Sequence, residues 1–244
     1  MLIVACVLVG GYLGWEASRP GHAASSPSLP VAHAAVDARV RAAEAGVVKV
    51  VSVQLACGLQ VQATGFAFSR HHVIVVAFDV AGSARGGLHV VSANGMSHAA
   101  RVVLFDPRLN IAVLDVPTLS VPTLGFASTF VPGSRLTLVG YTHDEPRPTV
   151  TADIAKASGT VTHGLYGGKV SLQLLLIQAR SAEGDLGGPV LDRAGQVGGI
   201  IEGNAVGSSS GVYALSNRQV RSDAAQGADR ATAVSDGRCV SNQK

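Results

Sequence analysis

Hydrolysis of an amide needs a nucleophile, a base to take its proton, and donors for the oxyanion that develops. The chain offers few candidates for these parts. His71 and His72 stand at the start of a β-like run, His143 and His163 fall in loop-like stretches, and no base is evident beside Ser181. Loop histidines and serines mostly face solvent, so none of them forms a recognisable nucleophile–base pair. The histidines show no ligand-like spacing such as H-x-x-x-H, and no metal or other cofactor is expected. The densest run of turn-forming residues is Gly184-Asp185-Leu186-Gly187-Gly188-Pro189-Val190. At its centre stands Leu186, whose side chain has no atom to deprotonate.

The elements that must position these residues are short and apolar. Val47–Leu55, Leu59–Phe68, Val73–Phe78, Leu88–Ser92, Ala99–Phe105 and Ile111–Val116 read as β segments. So do Arg135–Tyr141, Thr149–His163, Val170–Ala179, Pro189–Asp192, Gln196–Ile201 and Val212–Leu215. Gly, Pro, Asn and Asp punctuate them, and about a dozen strands at this spacing argue for an all-β sandwich or pair of barrels. One short helix is expected before them, over Asp37–Ala45, where alanines alternate with charges.

The flanks differ in composition. Residues 1–15 carry no charge and end at Trp15. That length lies between a signal h-region and a spanning helix. A short signal-anchor, a cleaved signal and the last helix of a longer membrane region remain open, and the missing basic start favours the last. Residues 1–16 are therefore expected to form a membrane anchor or signal segment, and residues 17–35, rich in Ala, Ser and Pro, a linker. The β domain is expected over residues 36–222, followed by a loosely ordered tail over 223–244 that contains Cys239. If the domain is exported, Cys57 and Cys239 are candidates for a disulfide clipping that tail down; two unpaired thiols are the alternative. The net charge of +3 is unclustered, which excludes a dedicated nucleic-acid surface.

From about Val47 to Val220 the chain resembles a chymotrypsin-fold, trypsin-like serine protease. Within that group it is most similar to actinobacterial membrane-anchored periplasmic proteases of the acid-resistance type. Three motifs in order carry the resemblance. Thr64–Ser69 (TGFAFS) is similar to G-[ST]-G-F-V-[IV]-S, and Phe105–Leu114 (FDPRLNIAVL) to Y-D-P-x-x-D-[IL]-A-[VI]-L. Glu183–Val190, continuing through Leu191-Asp192-Arg193-Ala194-Gly195-Gln196-Val197, is similar to E-G-[DN]-S-G-G-P-[LV]-[LI]-D-x-x-G-x-V. The resemblance implies two packed six-stranded antiparallel β-barrels, an extracytoplasmic domain at the cell membrane, and one disulfide reaching the C-terminal end.

The departures fall on the chemistry. Aligned with V-[VM]-T-N-A-H-V-V-A-G, the stretch Val73–Gly82 places Phe78 at the histidine position. Asn110 occupies the aspartate position and Leu186 the serine position. An Asp-to-Asn change in an intact triad lowers turnover about 10⁴-fold, and removing serine or histidine lowers it roughly 10⁶-fold. The backbone N–H groups of Gly184 and Leu186 would still form an oxyanion-hole-like pair, but stabilise a transition state that nothing here can start. Asp79, in an otherwise apolar stretch, is expected to find exposure at a turn. The sequence thus implies a catalytically inactive homologue that binds peptide or an envelope protein, through the old cleft or by strand addition. A serine-type endopeptidase, or a decayed paralogue, is the alternative.

Overall fold

The computed structural model describes residues 38–83, 85–128, 133–142, 145–179, 181, 184–204 and 211–240. A short helix, α1 (Ala38–Glu44), buries Val40 and leads into the first sheet. That sheet contains β1 (Val47–Gln54), β2 (Leu59–Ser69), β3 (His72–Val76), β4 (Leu88–Val91), β5 (Ser97–Ala99), β6 (Arg101–Asp106) and β7 (Ile111–Asp115). The second contains β8 (Arg135–Thr142), β9 (Glu145–His163), β10 (Lys169–Ile177), β11 (Pro189–Leu191), β12 (Val197–Asn204) and β13 (Val212–Ser216). A second helix, α2 (Asn217–Gly227), follows.

The architecture is all-β, with one difference from two six-stranded barrels. The second sheet closes as a six-stranded barrel in the order β10-β13-β12-β11-β8-β9. The first has seven strands, in the order β5-β4-β1-β2-β3-β7-β6. Its two ends, β5 and β6, are consecutive pieces of one extended stretch interrupted only at Ala100, whose N–H turns to Leu88 O (3.1 Å). The sheet therefore curls back upon itself through residues 97–106, and the interruption accounts for the extra strand. In β1, buried and less buried residues largely alternate, as expected of a strand with one face on the core. In contrast, β7 is buried throughout. Its terminal Asp115 is tolerated there because Arg101 Nε, on the neighbouring strand, meets Asp115 Oδ2 at 3.1 Å.

The C-terminal part corrects the expectation of a loose tail beginning at residue 223. Residues 217–227 form α2, which packs on β6 and β7 of the first sheet and on β12 and β13 of the second. Only Val220 and Ala224 supply its apolar face, one turn apart, so the hydrophobic period is too sparse to read from sequence. Gly227 lets the helix end lie against Val113, where any β-carbon would collide with the valine side chain. Asn217 Nδ2 donates to Ala127 O (2.6 Å) and Val197 O (3.1 Å), tying the helix start to the connection between the sheets.

Beyond the helix the chain is extended and pinned. Val234 N–H donates to Val102 O (2.9 Å), Ser83 N–H to Asp236 Oδ2 (2.9 Å), and Tyr166 Oη to Arg238 O (2.8 Å). A disulfide joins Cys57 to Cys239, 182 residues apart in sequence. Residues 1–37, and with them the anchor and linker expectations, lie outside the described residues; among the described residues no helix is long and apolar enough to cross a membrane.

Cross-linking so long a loop removes much of the unfolded chain's freedom. Cys239→Ser is expected to lower the unfolding free energy by about 2–5 kcal/mol, read from the urea midpoint under non-reducing conditions. New proteolytic cuts within residues 228–240 should accompany it. An unchanged midpoint would mean that the tail's hydrogen bonds suffice alone.

Candidate functional site

Pairing of β3 with β7 brings the first two positions together. Val76 is opposite Ile111, so the turn that follows β3 and the residue that precedes β7 are neighbours. Phe78 lies in that turn, Ala77–Asp79, and Asn110 stands immediately before β7. Asn110 has φ 57°, a left-handed conformation that asparagine tolerates better than most residues. There its carbonyl accepts from Ala77 N–H and its Oδ1 from Phe78 N–H, each at 2.9 Å. Its Nδ2 donates to Glu202 Oε2 at 3.0 Å, on β12 of the other sheet. Gln54 Nε2 holds the Phe78 carbonyl at 3.1 Å. The amide at position 110 thus satisfies a donor on one barrel and an acceptor on the other. An aspartate there would set a second carboxyl against Glu202.

The Gly-rich turn is held by backbone bonds that do not involve the Leu186 side chain. Thr64 N–H donates to Leu186 O (3.0 Å) and Thr64 Oγ1 to Gly184 O (2.6 Å), while Tyr141 N–H donates to Thr64 Oγ1 (2.7 Å). Gly187 N–H reaches Ile201 O and Gly188 N–H reaches Asp185 O, both at 2.9 Å. Gly187 has φ 80°, and a β-carbon on it would run into the Thr64 carbonyl, so glycine is required there whatever the chemistry. Leu186 itself is partly buried and packs against the apolar core of the second barrel. A β-carbon placed on Gly203 would be 3.9 Å from Leu186 Cδ2. Gly203 in turn lines a cavity of about 330 Å³ with Phe78, Asn110, Leu172, Glu202 and Tyr213. Phe78 and Asn110 therefore line one cleft, while Leu186 lies close to its Gly203 wall without lining it.

Two acids make this region unusual. Asp79 is not exposed at a turn as expected; it is 3% accessible, and burial pushes its carboxyl up to about 7. Burial likewise pushes Glu202 up to about 8, opposed by the Asn110 hydrogen bond and reinforced by the charge of Asp79. Asp79 Oδ2 and Glu202 Oε1 are buried without a hydrogen-bond partner among the described residues. Glu202 was not singled out from sequence. The available signal was a lone acid in the otherwise apolar strand Val197–Asn204.

No other described candidate joins the cleft. His72 lies at the far end of β3 from Phe78, a strand length of about 13 Å, and bonds Ser69 Oγ and Arg230 O, both at 2.8 Å. His71 belongs to the same turn, with its carbonyl accepting from Val116 N–H (2.7 Å). Ser181 Oγ donates to Asn204 Oδ1 (3.1 Å), an amide and not a base. His143 lies outside the described residues, as does the side chain of His163. Among the described residues no three His, Cys, Asp or Glu side chains cluster as a metal site would need.

A sequence profile of the trypsin-like peptidase domain matches residues 63–200. The chain belongs to the trypsin-like peptidase family. It is 33% identical over 206 residues to the serine protease Rv3671c of Mycobacterium tuberculosis, covering 83% of this chain and 51% of that protein. It is also 27% identical over 164 residues to a probable periplasmic serine endoprotease, DegP-like, of Chlamydia muridarum, covering 64% and 29%. The chain thus spans about half the length of the Mycobacterium relative and less of the other. Among solved structures, the active form of the M. tuberculosis Rv3671c protease superposes with a TM-score of 0.79 at 31% identity, covering 84% of this chain and 90% of that one. Its inactive form gives 0.67 at 30% identity, covering 78% and 92%.

The acids set a pH dependence of stability. Both carboxyls have folded pKa values above their unfolded ones, so the folded state holds protons that the unfolded chain releases. Their contribution is complete below about pH 4 and is lost as pH rises through 7 to 8. Unfolding midpoints should therefore fall between pH 5 and pH 8.5, and the slope should flatten in Asp79→Asn with Glu202→Gln. A midpoint that rises over this range would contradict the buried, protonated state of the pair.

Proposed function

We propose that the protein is a catalytically inactive homologue of the trypsin-like peptidases that binds peptide, or an extended segment of a partner protein, in the cleft beside Phe78, Asn110 and Leu186. One observation carries the reading. The backbone of the Gly-rich turn is held in place by Thr64, Ile201 and Asp185, while the residue at its centre packs a hydrocarbon side chain into the barrel core. Leucine cannot attack a carbonyl, and neither Phe78 nor Asn110 can take a proton from water or serine.

Binding has a physical route. Along β12, pairing with β11 begins at Ile200, opposite Pro189, whereas Gly203 and Asn204 pair only with Tyr213 and Val212 of β13 among the described residues. The other edge of this segment adjoins the cavity, so an extended peptide can add to it through main-chain hydrogen bonds while its side chains enter the cavity. An envelope location is part of the proposal, supported by the apolar stretch of residues 1–15 and by the word periplasmic in the name of the Chlamydia muridarum relative.

A working serine peptidase is the second reading, favoured by the family and by the relatives' names. It requires a nucleophile and base other than those at positions 186 and 78.

A fluorophosphonate probe separates the two. The purified protein is expected to remain unlabelled, and Leu186→Ser alone is expected to stay unlabelled and inactive, because no base adjoins the new hydroxyl. An immobilised random peptide set should still be retained saturably. Labelling of the unaltered protein at one serine, or turnover abolished by a single substitution in the domain, would replace this reading with the second.

A further inference from the structure

A second concavity, of about 410 Å³, shares no lining residue with the cleft. Phe68 and Phe126 wall it, and Ala224, Ala225 and Ala228 on α2 form its floor. Both rings are only half-buried, so this apolar surface meets solvent. Arg221 stands at its edge. Its Nη2 donates to Phe126 O (3.0 Å) and Ala127 O (2.8 Å), and its guanidinium lies 5.8 Å from the Phe126 ring centroid. Those contacts fix the side chain, while Nη1 and Nε have no hydrogen-bond partner among the described residues.

The fold brings three more arginines near it. Arg218 stands one turn before Arg221, on the helix face that continues to Ala225 and Ala228. Arg70 follows Ser69, which lines the concavity, and the Arg230 carbonyl accepts from His72 Nε2 (2.8 Å) in that same turn. All four arginines are exposed, and none forms an ion pair among the described residues. The neighbouring acid is Asp229, exposed beside Arg230. In sequence the four fall in three separate places, so the charge reads as unclustered; the cluster exists only in the fold.

An exposed apolar patch rimmed by polar groups marks an interaction surface. Here the rim is basic, and arginine beside aromatic and aliphatic surface suits phosphate heads and acyl chains together. The chain enters close by: the Arg39 carbonyl in α1 lies against Gly195, two residues before Val197, the bridge partner of Phe126. Residues 16–37 join that entry to the uncharged run of residues 1–15. An anchor in that run would hold a bilayer within roughly 75 Å of the entry.

We propose that this face, centred on Arg221, Phe68 and Phe126, docks on an anionic phospholipid bilayer, with the arginines on the phosphates and one acyl chain in the concavity. The inference makes no use of the peptide cleft and shares with the reading above only the envelope location.

The test uses the full chain with vesicles of phosphatidylglycerol and phosphatidylcholine in equal parts, against phosphatidylcholine alone. Any insertion of residues 1–15 affects both arms. Hydroxyl-radical footprinting should show Phe68 and Phe126 protected on the anionic vesicles only, with Met96, exposed between β4 and β5, unchanged. The protection should be lost at about 0.5 M salt, where exposed charges are screened. In Arg70→Glu with Arg218→Glu, exposed side chains with no hydrogen bond among the described residues, the thermal midpoint should stay near the parent's. The docking constant should fall roughly 25-fold, about fivefold for each basic residue lost from an anionic surface. Ala225→Glu, at an exposed helix position, should likewise abolish the protection by setting a charge on the apolar floor. Equal protection on neutral vesicles, protection unchanged in these variants, or the same protection by a single-stranded oligonucleotide would overturn the proposal. Peptide retention should be unaltered in the variants, so loss of docking leaves the cleft reading standing, and loss of peptide binding leaves the docking face standing.

Discussion

One side-chain amide bonds both sheets at once. Asn110 accepts a hydrogen bond from Phe78 N–H on the first sheet and donates one to Glu202 on the second, and it can do both because an amide carries both roles. Its left-handed backbone sets the angle, its carbonyl secures Ala77, and the pairing of β3 with β7 brings the two ends into register. A buried polar group is stable only when its partners are present. Phe78 and Leu186 add apolar contact where a protease would bury an imidazole and a hydroxyl, and the Asn110 link at the seam is neutral on the asparagine side. Thr64 of the first sheet adds further polar links, to the Leu186 and Gly184 carbonyls and from Tyr141 N–H. Burial disfavours charge on the acids beside Asn110, pushing Asp79 up to about 7 and Glu202 up to about 8.

The Gly-rich turn is held by constraints that do not depend on its central side chain. Gly187 is fixed by a positive φ and by the nearness of the Thr64 carbonyl, and Gly188 by the packing of the turn against Val139. Neither constraint refers to the side chain at 186. The fold as a whole superposes on an active protease structure with a TM-score of 0.79. Fold and site are separate questions, and only the site bears on chemistry.

Much of this was legible in the residues, for identifiable reasons. Strand-forming runs with turn residues between them marked most of the elements, and α1 falls inside the expected helix over Asp37–Ala45. Local patterns failed where structure depends on distant partners. The helix α2 owes its place to two small apolar side chains and to a glycine fitted against Val113, none of which forms a periodic signal. Residues 228–240 show no hydrophobic period, yet hydrogen bonds to Val102, Ser83 and Tyr166 and a disulfide to Cys57 order them. Asp79 reads as a turn residue and is indeed in a turn, but one that faces inward. Glu202 escaped notice because its partner is 92 residues away in the other barrel.

Whether the cleft holds peptides or cuts them decides the account. Incubating the purified protein with a diverse peptide library, then reading both the retained and the free fractions by mass spectrometry, answers this in one experiment. The account predicts that intact peptides are retained and that no new termini form over many hours. Accumulation of fragments with a consistent cleavage position, lost when any one residue of the cleft is replaced, would contradict it.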